Sequence, residues 1–178
     1  MNRRNVLAAA STAAVPLLLA MGRPVLAQDR MASSGGTLGA AKHKMLTLQV
    51  GSLSLQTSEL ALQRAKNPKL REFAGFERDE QMTIAQVLTD TQSPAPAQLD
   101  PADAAILKKL SAASGAEFDT MYVTDQIEGH TKLLQIQQDF LQGLSATTSD
   151  AAHVSMLART VIQMHLKMLA DLQTELRT

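Results

Sequence analysis

From about Ala40 onward, apolar residues recur every three or four positions, the spacing of helices that bury one face. Leu48, Leu55 and Leu62, with Leu46, Leu53 and Leu60 beside them, predict a first helix to about Lys66. Asn67-Pro68 stops it and starts the next at once, because Asn caps well and Pro suits the first helical position. The second helix runs to about Thr91, with Leu70, Phe73, Ile84, Val87 and Leu88 inward, and Ser93-Pro94-Ala95-Pro96 breaks it. Asp100-Pro101 opens a short helix to about Ala113. Ser114-Gly115-Ala116-Glu117 has the form of a capping box and opens a long helix to about Gln142. Gly143 stops that helix, and Ser149-Asp150 begins the last.

No stretch alternates as a strand does. The long helices, of about 23–29 residues, would each span about 35–43 Å. Helices of that kind are stable only when their apolar faces pack together. The fold class expected is therefore all-α: a four-helix bundle with a short extra helix in the connection between the second and third long helices, forming a single domain over residues 40–178.

The first 27 residues read as an address. Arg3 and Arg4 form a short basic start, Val6 to Met21 is a modest apolar stretch, and Val25-Leu26-Ala27 offers small residues to a signal peptidase. The apolar run is too short for a spanning helix. Asn2-Arg3-Arg4-Asn5-Val6-Leu7 resembles a twin-arginine motif, the plain secretory signal being the alternative. Gln28 to Gly39 is a small, polar, Gly-rich lead-in, expected to be flexible. The expected location is the periplasm, with outer-membrane association as the alternative.

Composition narrows the chemistry. Aromatics make up only 3% of the chain, which suits helices better than sheets, and there is no Cys, so disulfides, thiolate metal sites and cysteine nucleophiles are excluded. Without Arg3, Arg4 and Arg23 the chain carries 14 basic and 17 acidic side chains, a net of −3. That balance offers no nucleic-acid footprint, nor the basic stripe of a helix lying on a membrane. No Ser sits in a Gly-x-Ser-x-Gly elbow.

The informative residues are polar ones inside apolar stripes. His165 interrupts Ala158, Ile162, Leu169, Leu172 and Leu176; His130 interrupts Val123, Ile127, Leu134 and Leu141. Glu59 falls in the stripe Leu48, Ser52, Leu55, Leu62, and Glu77 with Glu80 or Gln81 falls between Phe73 and Ile84. One carboxylate or imidazole per helix, facing the core, is how a bundle builds a metal site. The candidate ligands are Glu59, Glu77, Glu80, His130 and His165, and the cofactor they would hold is a transition metal ion. Against this, a single core His is more often hydrogen-bonded to a neighbour than to a metal, and Glu77 and Glu80 flank Arg78 and Asp79 as a solvated face would. His43 and His153, near helix starts, read as surface residues. The nine Met read as core filler. The Glu-x-x-His pairs of a dinuclear site are absent, since Ile127 and Ile162 stand three residues before the histidines.

Asn67-Pro68-x-Leu70-x-x-Phe73-Ala74, Leu110-Ser111-x-x-Ser114-Gly115-x-x-Phe118-Asp119-x-x-Tyr122, Gly129-His130 and His165-Leu166 resemble the bacterial domain-of-unknown-function family numbered 4142, over about Lys42 to Leu172. The resemblance implies an exported, ferritin-like helical protein, in some members labelled an outer-membrane protein, and no reaction. It places His130 and His165 on the family's histidines. The family often has Asp-His on the second helix where this chain reads Asp79-Glu80, so any shared site would here be richer in oxygen.

Without a complete catalytic constellation, the sequence favours a non-catalytic bundle that binds a protein or envelope partner; a metal-binding, metal-oxidising bundle is the other reading. The metal reading requires the candidates to share a level. Counted from the Asn67 turn, Glu59 lies about 12 Å along the axis, Glu77 about 15 Å, Glu80 about 20 Å and His165 about 18 Å. His130 lies at about 22 Å after a long crossover, or about 14 Å without one. The export reading predicts that protein recovered from periplasm has the mass of a chain beginning at Gln28; the twin-arginine route further predicts that replacing Arg3 and Arg4 by Lys blocks export, undiminished export pointing to the general pathway. A full-length mass in carbonate-washed membranes contradicts the first of these.

Overall fold

The computed structural model describes residues 38–177; the expectations for the signal and most of the lead-in lie outside them. Five helices follow in order: α1 Ala40–Arg64, α2 Pro68–Thr89, α3 Pro101–Ala112, α4 Gly115–Gln142 and α5 Asp150–Glu175. No strand occurs among the described residues, and none of their helices is long and apolar enough to cross a membrane.

α1 and α2 form one antiparallel hairpin and α4 and α5 another, joined by a single long crossover. Register is set by polar pairs. His43 bonds Gln137 at 2.7 Å, Ser54 bonds Gln126 at 2.8 Å and Ser58 bonds Tyr122 at 2.8 Å, so α4 runs opposite to α1. Lys69 meets Glu175 at 2.6 Å, and α5 runs opposite to α2. The crossover returns along α1, where the Ala97 amide donates to Ser52 Oγ at 2.6 Å and Arg64 donates to the Ser111 carbonyl. α2 and α5 share the thinnest of the four side-by-side interfaces.

The hairpin turn forms as its sequence requires. The Asn67 side chain accepts from the amides of Lys69 and Leu70, with Pro68 at the first helical position. Asp100 caps α3 in the same way. The capping box at Ser114 does not form: its side chain bonds no amide, and the turn is made by the backbone of Gly115 at φ +61°, a conformation that glycine adopts freely.

The Asn67 end holds the apolar core, with Leu70, Phe73, Leu110, Phe118, Tyr122 and Leu169 all buried. Each such side chain contributes about 1.5–3 kcal/mol by leaving water. A smaller cluster, Leu133, Ala158 and Ile162, lies farther along the bundle.

Several expectations of burial are corrected. In α1 the seam is not leucine but His43, Thr47, Gly51, Ser54, Ser58 and Ala61, all buried, at spacings of four and three. The leucine rows straddle this seam, and the small residues between them let neighbouring helices come close. Glu59 lies one position past the seam and is exposed; the returning crossover covers Ser52 on that edge but not Glu59. His43, expected on the surface, is fully buried: Nε2 meets Gln137 and, at 3.0 Å, Ser155 Oγ, and the ring stacks on Phe140 with centroids 4.0 Å apart. His153 is exposed as expected, and Val87, expected inward, is 42% exposed.

Asp119 is buried and ties α4 to the hairpin turn, accepting from the Lys66 amide at 3.1 Å and the Asn67 amide at 3.0 Å. Asp119→Ala removes the acceptor for both donors. It should lower stability in urea unfolding by about 2 kcal/mol, with Asp119→Asn less affected. An unchanged midpoint for the Ala variant contradicts this role.

Candidate metal centre

α2, α4 and α5 each bring one ionisable side chain to the same point of the core. Glu77 follows Phe73 by one turn on the inward face of α2. His130 follows Tyr122 and Gln126 on α4, and His165 lies between Ile162 and Leu169 on α5. Phe73 seals the side toward the apolar core, its ring centroid 6.0 Å from that of His130 and 5.1 Å from that of His165. Glu77, His130 and His165 are 0%, 1% and 4% exposed, so water cannot stand in for missing partners.

Glu77 Oε2, His130 Nε2 and His165 Nδ1 form a triangle with every side 3.1 Å. The other Glu77 oxygen, Oε1, accepts from Ser54 Oγ at 2.5 Å and from Gln81 Nε2 at 2.9 Å. The carboxylate is thereby fixed with one oxygen held by α1 and α2 and the other aimed at the imidazoles. His130 Nδ1 is 2.8 Å from the Gln126 carbonyl, which only accepts, so Nδ1 carries a proton and Nε2 is the nitrogen that faces the triangle. Ser54 Oγ also lies 2.8 Å from Gln126 Oε1, linking the supports of Glu77 and His130. Gly51 makes room for this layer: a Cβ there would lie 2.5 Å from Gln81 Oε1.

The electrostatics follow from burial and proximity. Burial alone would raise the Glu77 carboxyl, but the charge of His130 and the bonds from both histidines and Ser54 hold it well below the usual carboxylate range. Burial alone would lower His130, and Glu77 with the Gln126 carbonyl raises it instead. Glu80, with its Oε2 3.6 Å from His165 Nδ1, is pushed up to about 7, first by burial and then by the Glu77 charge. A neutral pair of imidazoles would turn a bare nitrogen toward the Glu77 oxygen. The triangle therefore calls for positive charge at its centre, a proton or a metal.

Of the five candidate ligands, the fold brings together Glu77, His130 and His165, sets Glu80 half-buried beside them, and leaves Glu59 exposed on α1. The triad is the only group of at least three potential His or acidic ligands found converging among the described residues. Sequence reasoning missed Ser54 and Gln126. Their signal was the fours-and-threes line of small side chains from Thr47 to Ala61 in α1, and the placing of Gln126 one turn before His130.

Residues 26–172 match the family described as Domain of unknown function (DUF4142). The chain belongs to that family. Comparison with curated proteins and with solved structures gives no match. The pieces that carry the family resemblance meet in the fold, since Asp119 of the Phe-Asp-x-x-Tyr piece binds the backbone at Asn67, and Phe73 of the Asn-Pro piece covers His130 and His165 of the other two.

The metal-free cluster has a definite response to pH. With His130 raised above 6.5 in the folded state, its stabilising contribution is complete below 6.5 and is lost as pH rises through the folded value. Glu80, raised from 4.5 to about 7, opposes folding once ionised and adds to the loss between those values. Chelator-treated protein should therefore melt at lower temperature as pH rises above 6.5. Glu77→Gln, which removes the charge acting on His130, should flatten the trend. A wild-type Tm that is constant or rises contradicts it.

Proposed function

We propose that this DUF4142 protein is an exported, ferritin-like metal-binding bundle that holds one first-row divalent transition ion on Glu77, His130 and His165. The sequence alone favours a partner-binding bundle, and the convergence of these three donors reverses that order. The single observation that carries the reading is the 3.1 Å triangle of donor atoms, closed to water and fixed from behind by Ser54, Gln81 and the Gln126 carbonyl. Metal-binding histidines characteristically donate their other nitrogen to a carbonyl or carboxylate, as His130 does.

The donor set fits such an ion. Atoms 3.1 Å apart, each about 2.0–2.1 Å from a metal, subtend about 95–102° at it, between octahedral and tetrahedral values. Two imidazoles and one carboxylate on one face suit zinc or iron(II) and leave positions open on the other side. The ligands serve one ion, which argues against a dinuclear oxidase. The single long crossover between antiparallel hairpins supports the ferritin-like comparison. The twin arginines and the Val25-Leu26-Ala27 site support periplasmic export.

Protein purified from periplasm should contain about one zinc, iron, manganese or copper ion per chain by elemental analysis, the stoichiometry of a site built from two imidazoles and one carboxylate. His130→Ala and His165→Ala should each lower the content about tenfold or more, and Glu59→Ala should not. A wild-type chain that is metal-free and takes up none of these ions at neutral pH contradicts the reading, and would leave the triad as a proton-sharing polar layer of the core.

A further inference from the structure

The proposed ligands are buried, so an ion needs a way in. Two openings compete. On one side a cavity between α1, α3 and α4 is lined by Asp103, Asp125 and Glu128 and reaches Ser54 and Gln126. Its acidic character suits a cation, and Asp125 Oδ2 lies buried there without a hydrogen-bond partner. Yet its inner wall is shut. Ser54 bonds both Glu77 Oε1 and Gln126, and Gln81 bonds Oε1 as well, so this side presents the occupied oxygen of Glu77.

On the other side, the thin α2–α5 interface leaves a groove of about 460 Å³, lined by Glu80, Ile84, Val87, Leu157, Ala158 and Val161. Its walls are apolar apart from Asp79, Glu80 and Thr83 of α2, of which Glu80 stands half-buried with its side chain 20% exposed. Glu80 Oε2 lies 3.6 Å from His165 Nδ1, a nitrogen in the triangle itself. No hydrogen bond of Ser54 or Gln81 lies between them. Glu80 is thus the one carboxylate that touches both the groove and the donor atoms.

We propose that the α2–α5 groove is the entrance for a divalent cation, and that Glu80 is the transfer carboxylate that receives the ion from solvent and hands it to Glu77, His130 and His165. This rests on the metal reading of the triad. Glu80 is assigned a kinetic role: it lowers the barrier for passage in both directions, so it governs the rates of loading and release but not their ratio. A permanent fourth ligand would do the reverse, setting the equilibrium affinity.

The experiment is Co²⁺ uptake by the chelator-treated folded protein, followed by visible absorbance in a stopped-flow instrument, with release driven by excess EDTA. Glu80→Gln keeps the shape and removes the charge; it should slow uptake and release alike by about tenfold or more, the scale on which a charged cleft alters association, with the dissociation constant unchanged. Val161→Phe, which narrows the groove without touching a ligand, should slow both rates as well. Asp125→Asn, in the opposite cavity, should match wild type. Wild-type rates in Glu80→Gln, a loss of affinity there without slower loading, or slowing confined to Asp125→Asn each overturn the entrance. Wild-type protein that takes up no Co²⁺ removes the centre and the entrance together, whereas normal occupancy with unaltered Glu80→Gln rates removes only the entrance.

Discussion

Glu77 is a carboxylate fully buried from bulk solvent, and four of the helices supply what it needs. A buried charge without partners costs several kcal/mol, so a bundle that carries one must bring donors to both oxygens. α1 supplies Ser54 and α2 supplies Gln81 to one oxygen; α4 and α5 supply the imidazoles to the other. These contacts fix which faces of the helices turn inward and at what height. A shift of one turn in α1, α4 or α5 would take away one of its partners, and a shift of α2 would take it from all three. Burial of leucine and phenylalanine drives the packing, but it tolerates many registers; the polar layer selects one.

The apolar end of the bundle serves that layer. Asp119 holds the α1–α2 turn against α4, and Phe73, Phe118 and Tyr122 fill the space beneath the histidines. Tyr122 meets Ser58 at 2.8 Å, so even here a hydroxyl on the α1 seam sets the distance to α4. The family motifs thus encode a lock at the turn and a floor under the Glu77, His130 and His165 triangle. Beyond the centre a second polar group, His43 with Gln137 and Ser155, repeats the device and pins α1 to both helices of the other hairpin.

The helices were legible because their ends are marked by chemistry, with Asn67-Pro68 and Asp100-Pro101 each capping as the residues require. The inward face of α5 was legible too, since Ala158, Ile162, His165, Leu169 and Leu172 are all buried. α1 was not, because its most apolar rows are not its most buried ones. Leucine periodicity reports a helix and its sides, but a seam of Thr, Gly and Ser is chosen for closeness and hydrogen bonding, which hydropathy does not register. That is why Glu59 was placed inward and His43 outward. Glu77, His130 and His165 could be read as inward residues near one level with or without a crossover; which atoms meet, and that Glu59 stays outside, depends on how each helix is rotated about its axis.

The central claim is that these three side chains together bind one ion. X-ray absorption at the zinc edge of the zinc-loaded protein measures the coordination shell directly. The account predicts two imidazole nitrogens and a carboxylate oxygen at about 2.0–2.1 Å, with the multiple scattering of histidine rings. A shell of oxygens alone, without an imidazole signature, would contradict it.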